Sequence, residues 1–120
     1  MIPNFYKLRI DSRNQETHEA FSISFSIPSE LIEEFQFIQG QHLTLRCWIA
    51  KKEIRRSYSI CSGINEKSPT ITIKTIKNGL FSSWAKKNLW VGTEIDVLTP
   101  QGGFFTPLEY NNKKKIKYNL

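Results

Sequence analysis

The chain has 120 residues, 39% hydrophobic and 12% aromatic, with 17 Lys and Arg against 11 Asp and Glu for a formal charge of +6. That length suits one domain and excludes two linked catalytic domains, and that composition excludes disordered and collagen-like classes. No run approaches the ~18 apolar residues of a membrane span and no charged-then-apolar leader opens the chain, so the expectation is a soluble cytoplasmic protein.

The first candidate strand covers residues 5 to 11. Phe21, Ile23, Phe25 and Ile27 then alternate with Ser22, Ser24 and Ser26, the period of a strand with one buried face, until Pro28 stops it. Ser29 to Phe35 suit a turn of helix with Ser29 as N-cap. After the turn signal Gly40, Leu43, Leu45, Cys47 and Ile49 alternate with His42, Thr44, Arg46 and Trp48. Shorter strands fit residues 54 to 61, 70 to 76 and 94 to 98. Between the last two, Phe81, Trp84, Ala85 and Leu89 recur at helical spacing behind Gly79, which predicts one short helix over residues 80 to 89. Six strands and one helix in so short a chain predict an all-β fold, a six-stranded antiparallel Greek-key β-barrel, because closure removes exposed edges.

Charge is uneven. Residues 1 to 45 hold three basic and six acidic side chains, and residues 46 to 120 hold fourteen and five, a balance of +9 that should attract anions. The basic clusters are Lys51, Lys52, Arg55 and Arg56; Lys86 and Lys87; and Lys113, Lys114, Lys115 and Lys117. Most such clusters are solvated faces. Cys47 and Cys61 have no metal-ligand spacing and read as free, small core residues, and His18 and His42 lack the neighbours of a metal site or a nucleophile's base. No hydrolase constellation is visible.

Arg56-Ser57-Tyr58-Ser59 is the most informative segment. On a strand Arg56 and Tyr58 share one face, and Ser57 and Ser59 the other. A guanidinium pairs with phosphate oxygens, a phenol ring lies flat on a planar ring system, and a hydroxyl at the strand's end bonds a ring nitrogen or carbonyl. About twenty residues on, Gly79-Leu80-Phe81-Ser82 opens the helix with unpaired N–H groups and a hydroxyl, the ingredients of a pyrophosphate site. A surface Arg beside a half-buried Tyr, and a Gly before a helix, are each ordinary alone. Together they form complementary halves of one dinucleotide site.

These two segments, with Ile73-Lys74 between them and Pro100-Gln101-Gly102-Gly103-Phe104 after them, resemble the flavin-binding domain of the ferredoxin-NADP reductase superfamily. The stretches Gly40-Gln41-His42-Leu43-Thr44-Leu45 and Arg55 to Cys61 are most similar to reductase components of the phenylacetyl-CoA epoxygenase type. The resemblance spans residues 3 to 108. It implies FAD, with FMN as second choice, in a reductase that passes electrons from a nicotinamide to an iron–sulfur or flavin carrier of ferredoxin-like or flavodoxin-like type. It also implies that Arg56 pairs with the flavin phosphates, Tyr58 stacks on the isoalloxazine, and Ser59 bonds near the redox-active nitrogen. Ser57, Ile73 and Lys74 would line the site, the last two through their backbone, and Gly79, Leu80, Phe81 and Ser82 would cradle the pyrophosphate.

Two features depart from the family pattern. Gln39 stands where a Pro usually precedes the Gly-Gln turn, which affects turn rigidity. Residues 109 to 120 form a basic tail ending Lys115-Ile116-Lys117-Tyr118-Asn119-Leu120, which looks like the opening strand of a nicotinamide domain, and no G-x-G-x-x-G loop occurs. The division expected is therefore a flavin barrel over 1–108 and a tail over 109–120, with NAD(P)H reached only through a second domain. Two other readings compete. One is a basic barrel that binds single-stranded nucleic acid through Tyr58, Trp48, Trp84 and Trp90; the other is a fragment with no ligand.

Overall fold

In the computed structural model the described residues are 4–63 and 68–102. They form seven strands and one helix: β1 Phe5–Thr17, β2 Ala20–Ser26, β3 Gln41–Ile49, β4 Lys52–Ser59, β5 Thr70–Lys74, α1 Leu80–Asn88, β6 Glu94–Leu98 and β7 Gln101–Gly102. The tail from residue 109, and Gly103 and Phe104 of the last motif, lie outside the described residues.

The strands make one antiparallel sheet in the order β4-β3-β6-β1-β2-β5, with β7 off that path against β3. Pairing follows an open path where the sequence predicts a closed ring of six. The two ends touch at one isolated antiparallel bridge, Ile60 with Ile71, beside a 2.8 Å bond from the Cys61 N–H to the Thr70 carbonyl. β4 ends at Ser59 and β5 has only five residues, so the two edges share too little length for a ladder.

Alternation decides what fills the centre. Leu8 and Ile10 of β1, Phe21, Ile23 and Phe25 of β2, Leu43 and Leu45 of β3, and Ile71 and Ile73 of β5 are all essentially inaccessible to water. Ser22 and Ser24 are buried as well, against the expectation of a wet outer face. Their hydroxyls are satisfied there: the Ser24 hydroxyl lies 2.6 Å from that of Ser12, and Ser22 donates to Glu16 at 2.7 Å. Cys47 is buried, and burial pushes its thiol pKa up, against a smaller lowering effect of Arg56. Cys61 is exposed, which corrects its reading as a core residue: its thiol bonds the Thr70 carbonyl at 3.3 Å where the chain leaves β4.

Three local details differ from the sequence reading. β1 runs on to Thr17, past the expected end at residue 11. Residues Ser29–Leu31 form only a 3-10 turn, and its cap position is Pro28, not Ser29, because the turn's first bond runs from the Leu31 N–H to the Pro28 carbonyl at 2.9 Å. β7 has no apolar period to announce it. It pairs with Gln41 and His42 of β3, and Gly102 fits there at φ +78° beside the His42 ring, where an added Cβ would come within 2.9 Å of the imidazole.

The outer face of β1, β3, β4 and β6 carries a charged cluster. Asp96 is buried, bound by Arg46 through Nη2 at 3.0 Å and Nε at 3.1 Å, and approached by Lys7 at 3.3 Å. Arg46 also lies 4.0 Å above the Phe5 ring. Asp96→Asn keeps an acceptor but removes the charge from a shielded pair, so it is expected to cost about 1–2 kcal/mol of stability in a urea titration. A change below about 0.3 kcal/mol would show that the cluster is solvated in solution.

Candidate functional site

β4 presents Ile54, Arg56 and Tyr58 on one face. Cross-strand pairing sets Tyr58 opposite Leu43 and Arg56 opposite Leu45, both core residues, so this face of β4 is the one that looks inward. Tyr58 is half-buried there, whereas Arg56 is exposed at the rim. The Arg56 guanidinium donates to the Arg55 carbonyl at 2.7 Å and meets no carboxylate among the described residues.

Ser57 and Ser59 point to the other face, as expected. The Ser57 hydroxyl is paired with that of Thr44 at 2.7 Å, and Ser59 ends the strand opposite His42. Ile73 lies in the core opposite Phe21, and Lys74 is exposed at the end of β5 opposite Ala20.

The chain then turns through Thr75 to Gly79 into α1. The left-handed residue of this turn is Asn78 at φ +64°, while Gly79 sits at φ −73° in ordinary extended geometry. Glycine is needed at 79 for space: a Cβ would stand 2.7 Å from the Ser82 hydroxyl and 3.0 Å from the Ile76 carbonyl. Ser82 is buried, and its hydroxyl accepts the Ile76 N–H at 3.0 Å, so it braces the turn from inside. The first turn of α1 has no side-chain cap and no acidic residue, and Lys86 and Lys87 occupy its last turn. The helix dipole is thus balanced at its C-terminus and left open to an anion at its N-terminus.

Tertiary packing joins these two segments. Phe81, fully buried on α1, lies 6.0 Å from the Tyr58 ring at 38°, and Trp84 continues the row 5.8 Å beyond Phe81. Burial raises the Tyr58 phenol pKa, an effect only partly offset by the Arg56 guanidinium, so the ring is a neutral phenol through the physiological range.

Residues 7–106 match the family model described as the oxidoreductase FAD-binding domain. The chain belongs to this family of FAD-binding domains. The FAD-binding domain is 36% identical over 103 residues to a subunit of the 1,2-phenylacetyl-CoA epoxidase of Escherichia coli (strain K12), a match covering 86% of this chain and 29% of that protein. It is 34% identical over 102 residues to the ferredoxin reductase component of the 3-ketosteroid-9-alpha-monooxygenase of Rhodococcus rhodochrous, covering 83% and 29%. Its fold is similar to that of a ferredoxin NADP+ reductase from Neisseria gonorrhoeae with bound FAD and NADP, with a TM-score of 0.70 and 21% identity over 83% of this chain and 39% of that one. At that identity the likeness is one of fold. The FAD-binding domain spans less than a third of the length of the two curated relatives.

The four aromatic residues of the competing nucleic-acid reading do not form one platform in this FAD-binding domain: Tyr58 and Trp84 flank Phe81, and the other two stand apart from that row. Trp48 lies on the outer face of β3 near Arg46, whereas Tyr58 faces inward on β4 and Trp90 stacks on Arg13. Sequence reasoning also missed two residues that hold the site's surroundings. Gln41 ties the Gly40 turn together by accepting the Ile38 N–H at 2.9 Å and donating to the Gly102 carbonyl at 3.3 Å. Arg13 binds the far end of α1. The Gly-Gln motif pointed to the first; nothing local to Arg13 pointed to the second. Among the described residues no cluster of His, Cys, Asp and Glu could hold a metal, and no helix is long and apolar enough to cross a membrane.

Proposed function

We propose that this domain holds FAD between β4 and the start of α1, as the flavin module of an NAD(P)H-dependent cytoplasmic reductase that passes electrons to a ferredoxin-like or flavodoxin-like carrier. The observation that carries the reading is the Tyr58–Phe81 contact, which sets a guanidinium without a carboxylate partner and an uncapped helix start on either side of one aromatic row.

The donor set fits a diphosphate-bearing flavin. Arg56 offers a forked donor with no competing carboxylate, and the N–H groups of Leu80, Phe81 and Ser82 open an α1 turn that has neither acid nor cap. Gly79 keeps the approach to that turn clear, with Ser82 bracing it from beneath. Tyr58 supplies a neutral ring for stacking, held from behind by Phe81. Ser59 is the hydroxyl at the strand's end suited to the ring's polar edge. Ser57 shapes β4 through Thr44, and Ile73 and Lys74 contribute backbone on β5. When bound, FAD supplies the capacity to accept a hydride and release electrons one at a time, and the protein's share is to bind, orient and tune it.

The bridge between Ile60 and Ile71 supports closure of the six long strands into a Greek-key barrel over residues 1–108, with β7 as a short addition. Residues 109–120 then lead into a nicotinamide-binding domain, in keeping with relatives much longer than this chain. Calorimetric titration of the chain with FAD tests the cofactor reading. Saturable binding with quenched flavin fluorescence is expected. The absence of heat and quenching at about 100 µM FAD, a concentration that registers any affinity better than roughly −5.5 kcal/mol, would remove it.

A further inference from the structure

We infer that Arg13 is a positioning residue that sets α1 for cofactor binding by clamping the helix from its opposite end; the inference rests on the reading that the start of α1 receives a diphosphate.

The clamp begins with a register change. β1 pairs Ile10 with Phe25 but Ser12 with Ser24, so Asp11 is an extra residue in the strand. A single bulged residue reverses which side chains face inward beyond it. Leu8 and Ile10 face the core before the bulge; after it the inward position falls to Arg13, opposite the core residue Ile23, and Ser12 turns outward. A charged side chain is thereby directed over the end of the core, where it must find partners.

Its partners lie at the C-terminal end of α1. Arg13 Nη1 donates to the Leu89 carbonyl at 2.6 Å and Nη2 to the Lys86 carbonyl at 3.1 Å, acceptors left open in the last turn of a helix. The guanidinium lies between two rings, 4.0 Å from the Phe21 centroid and 3.7 Å from that of Trp90. The Trp90 indole N–H in turn donates to the Lys87 carbonyl at 3.1 Å. Partial burial lowers the Arg13 pKa without a carboxylate to offset it, in keeping with a cation whose partners are carbonyls and rings.

The far end of the same helix carries the Gly79 turn and Phe81. A nine-residue helix is short and stiff, so a tilt or slide at Leu89 displaces the N–H groups of the first turn by a comparable distance. Backbone donors for a diphosphate lose strength steeply with misalignment. Arg13 touches no part of the proposed cofactor region, so its effect must travel through α1.

The test measures binding of FAD and of riboflavin, which lacks the diphosphate, to the parent chain and to Arg13→Ala, Arg13→Lys and Arg56→Ala at a temperature well below each melting point. Arg13→Ala is expected to weaken FAD about tenfold and to leave riboflavin within about twofold of the parent. Arg13→Lys keeps the charge without the fork, stays folded if the alanine variant does not, and is expected to fall between them. FAD affinity unchanged in both Arg13 variants would overturn the inference, as would equal loss of FAD and riboflavin, the signature of general loosening. If instead Arg56→Ala binds FAD like the parent, the diphosphate reading itself fails, and that failure is separable from failure of the clamp.

Discussion

Phe81→Ala is expected to destabilise the domain by roughly 3–5 kcal/mol, the range for deleting a fully buried aromatic side chain. Phe81 is 2% exposed and fills the space between β4 and α1, with the Tyr58 ring on one side and the Trp84 ring on the other. Truncation removes its transfer free energy and leaves a cavity between a strand and a helix that are tied together mainly by this row. Urea denaturation monitored by tryptophan fluorescence measures the loss. Phe81→Leu retains most of the volume and is expected to cost about 1–1.5 kcal/mol. A loss below about 1 kcal/mol for the alanine variant would mean that α1 does not pack on β4. Flavin affinity is expected to fall with Phe81→Ala even under conditions where the protein stays folded, because Tyr58 loses its support.

Arg56→Ala separates stability from binding. The side chain is exposed at the rim, and its bond is to the carbonyl of its neighbour Arg55, so folding stability should change by less than about 0.5 kcal/mol. FAD affinity is expected to drop by roughly 1.5–3 kcal/mol, the worth of a charge-assisted hydrogen bond to an anion. Calorimetry with FAD measures it directly, and equal affinity in variant and parent would take Arg56 out of the site. The same variant has a pH signature. Burial raises the Tyr58 pKa and Arg56 pulls it partly back, so removing Arg56 should push the phenol pKa higher still. A phenol whose folded-state pKa lies above its unfolded value stabilises the fold below the ordinary phenol range, and that contribution is lost as pH rises through the folded value. In the variant the window therefore extends to more alkaline pH, visible in an ultraviolet difference titration.

Much of the fold can be read locally because each inward face has its own period. Phe21-Ser22-Ile23-Ser24-Phe25 declares a strand without reference to any partner, and Phe81, Trp84, Ala85 and Leu89 declare a helix in the same way. The placement of the candidate site's residues is legible to the same degree: Arg56 and Tyr58 share a face, and Gly79 stands immediately before α1. Their conjunction in one cofactor site rests on motif order; the structure adds that the Tyr58 and Phe81 rings pack together. What was read wrongly is what depends on neighbours. Cys61 reads as a core residue because a free thiol without metal-ligand spacing is small and apolar, yet it is exposed just past the end of β4, bonded to the Thr70 carbonyl and close to the Thr72 hydroxyl. Ser22 and Ser24 looked wet, but Glu16 and Ser12 satisfy their hydroxyls and allow burial.

By itself the sequence determined six of the strands, the single helix and the faces they bury, since these follow from side-chain period and short-range backbone chemistry, and it carried the ordered motifs whose resemblance to a known family marks an FAD-binding domain. Only the tertiary structure decided that β6 lies between β1 and β3, that Gln101–Gly102 forms a strand on Gln41 and His42, and that Arg13 grips α1 from 76 residues away. The physical reason is the bulge at Asp11 and the spatial order of strands: each turns a side chain toward partners distant in sequence, and no local pattern of residues specifies which partners those will be.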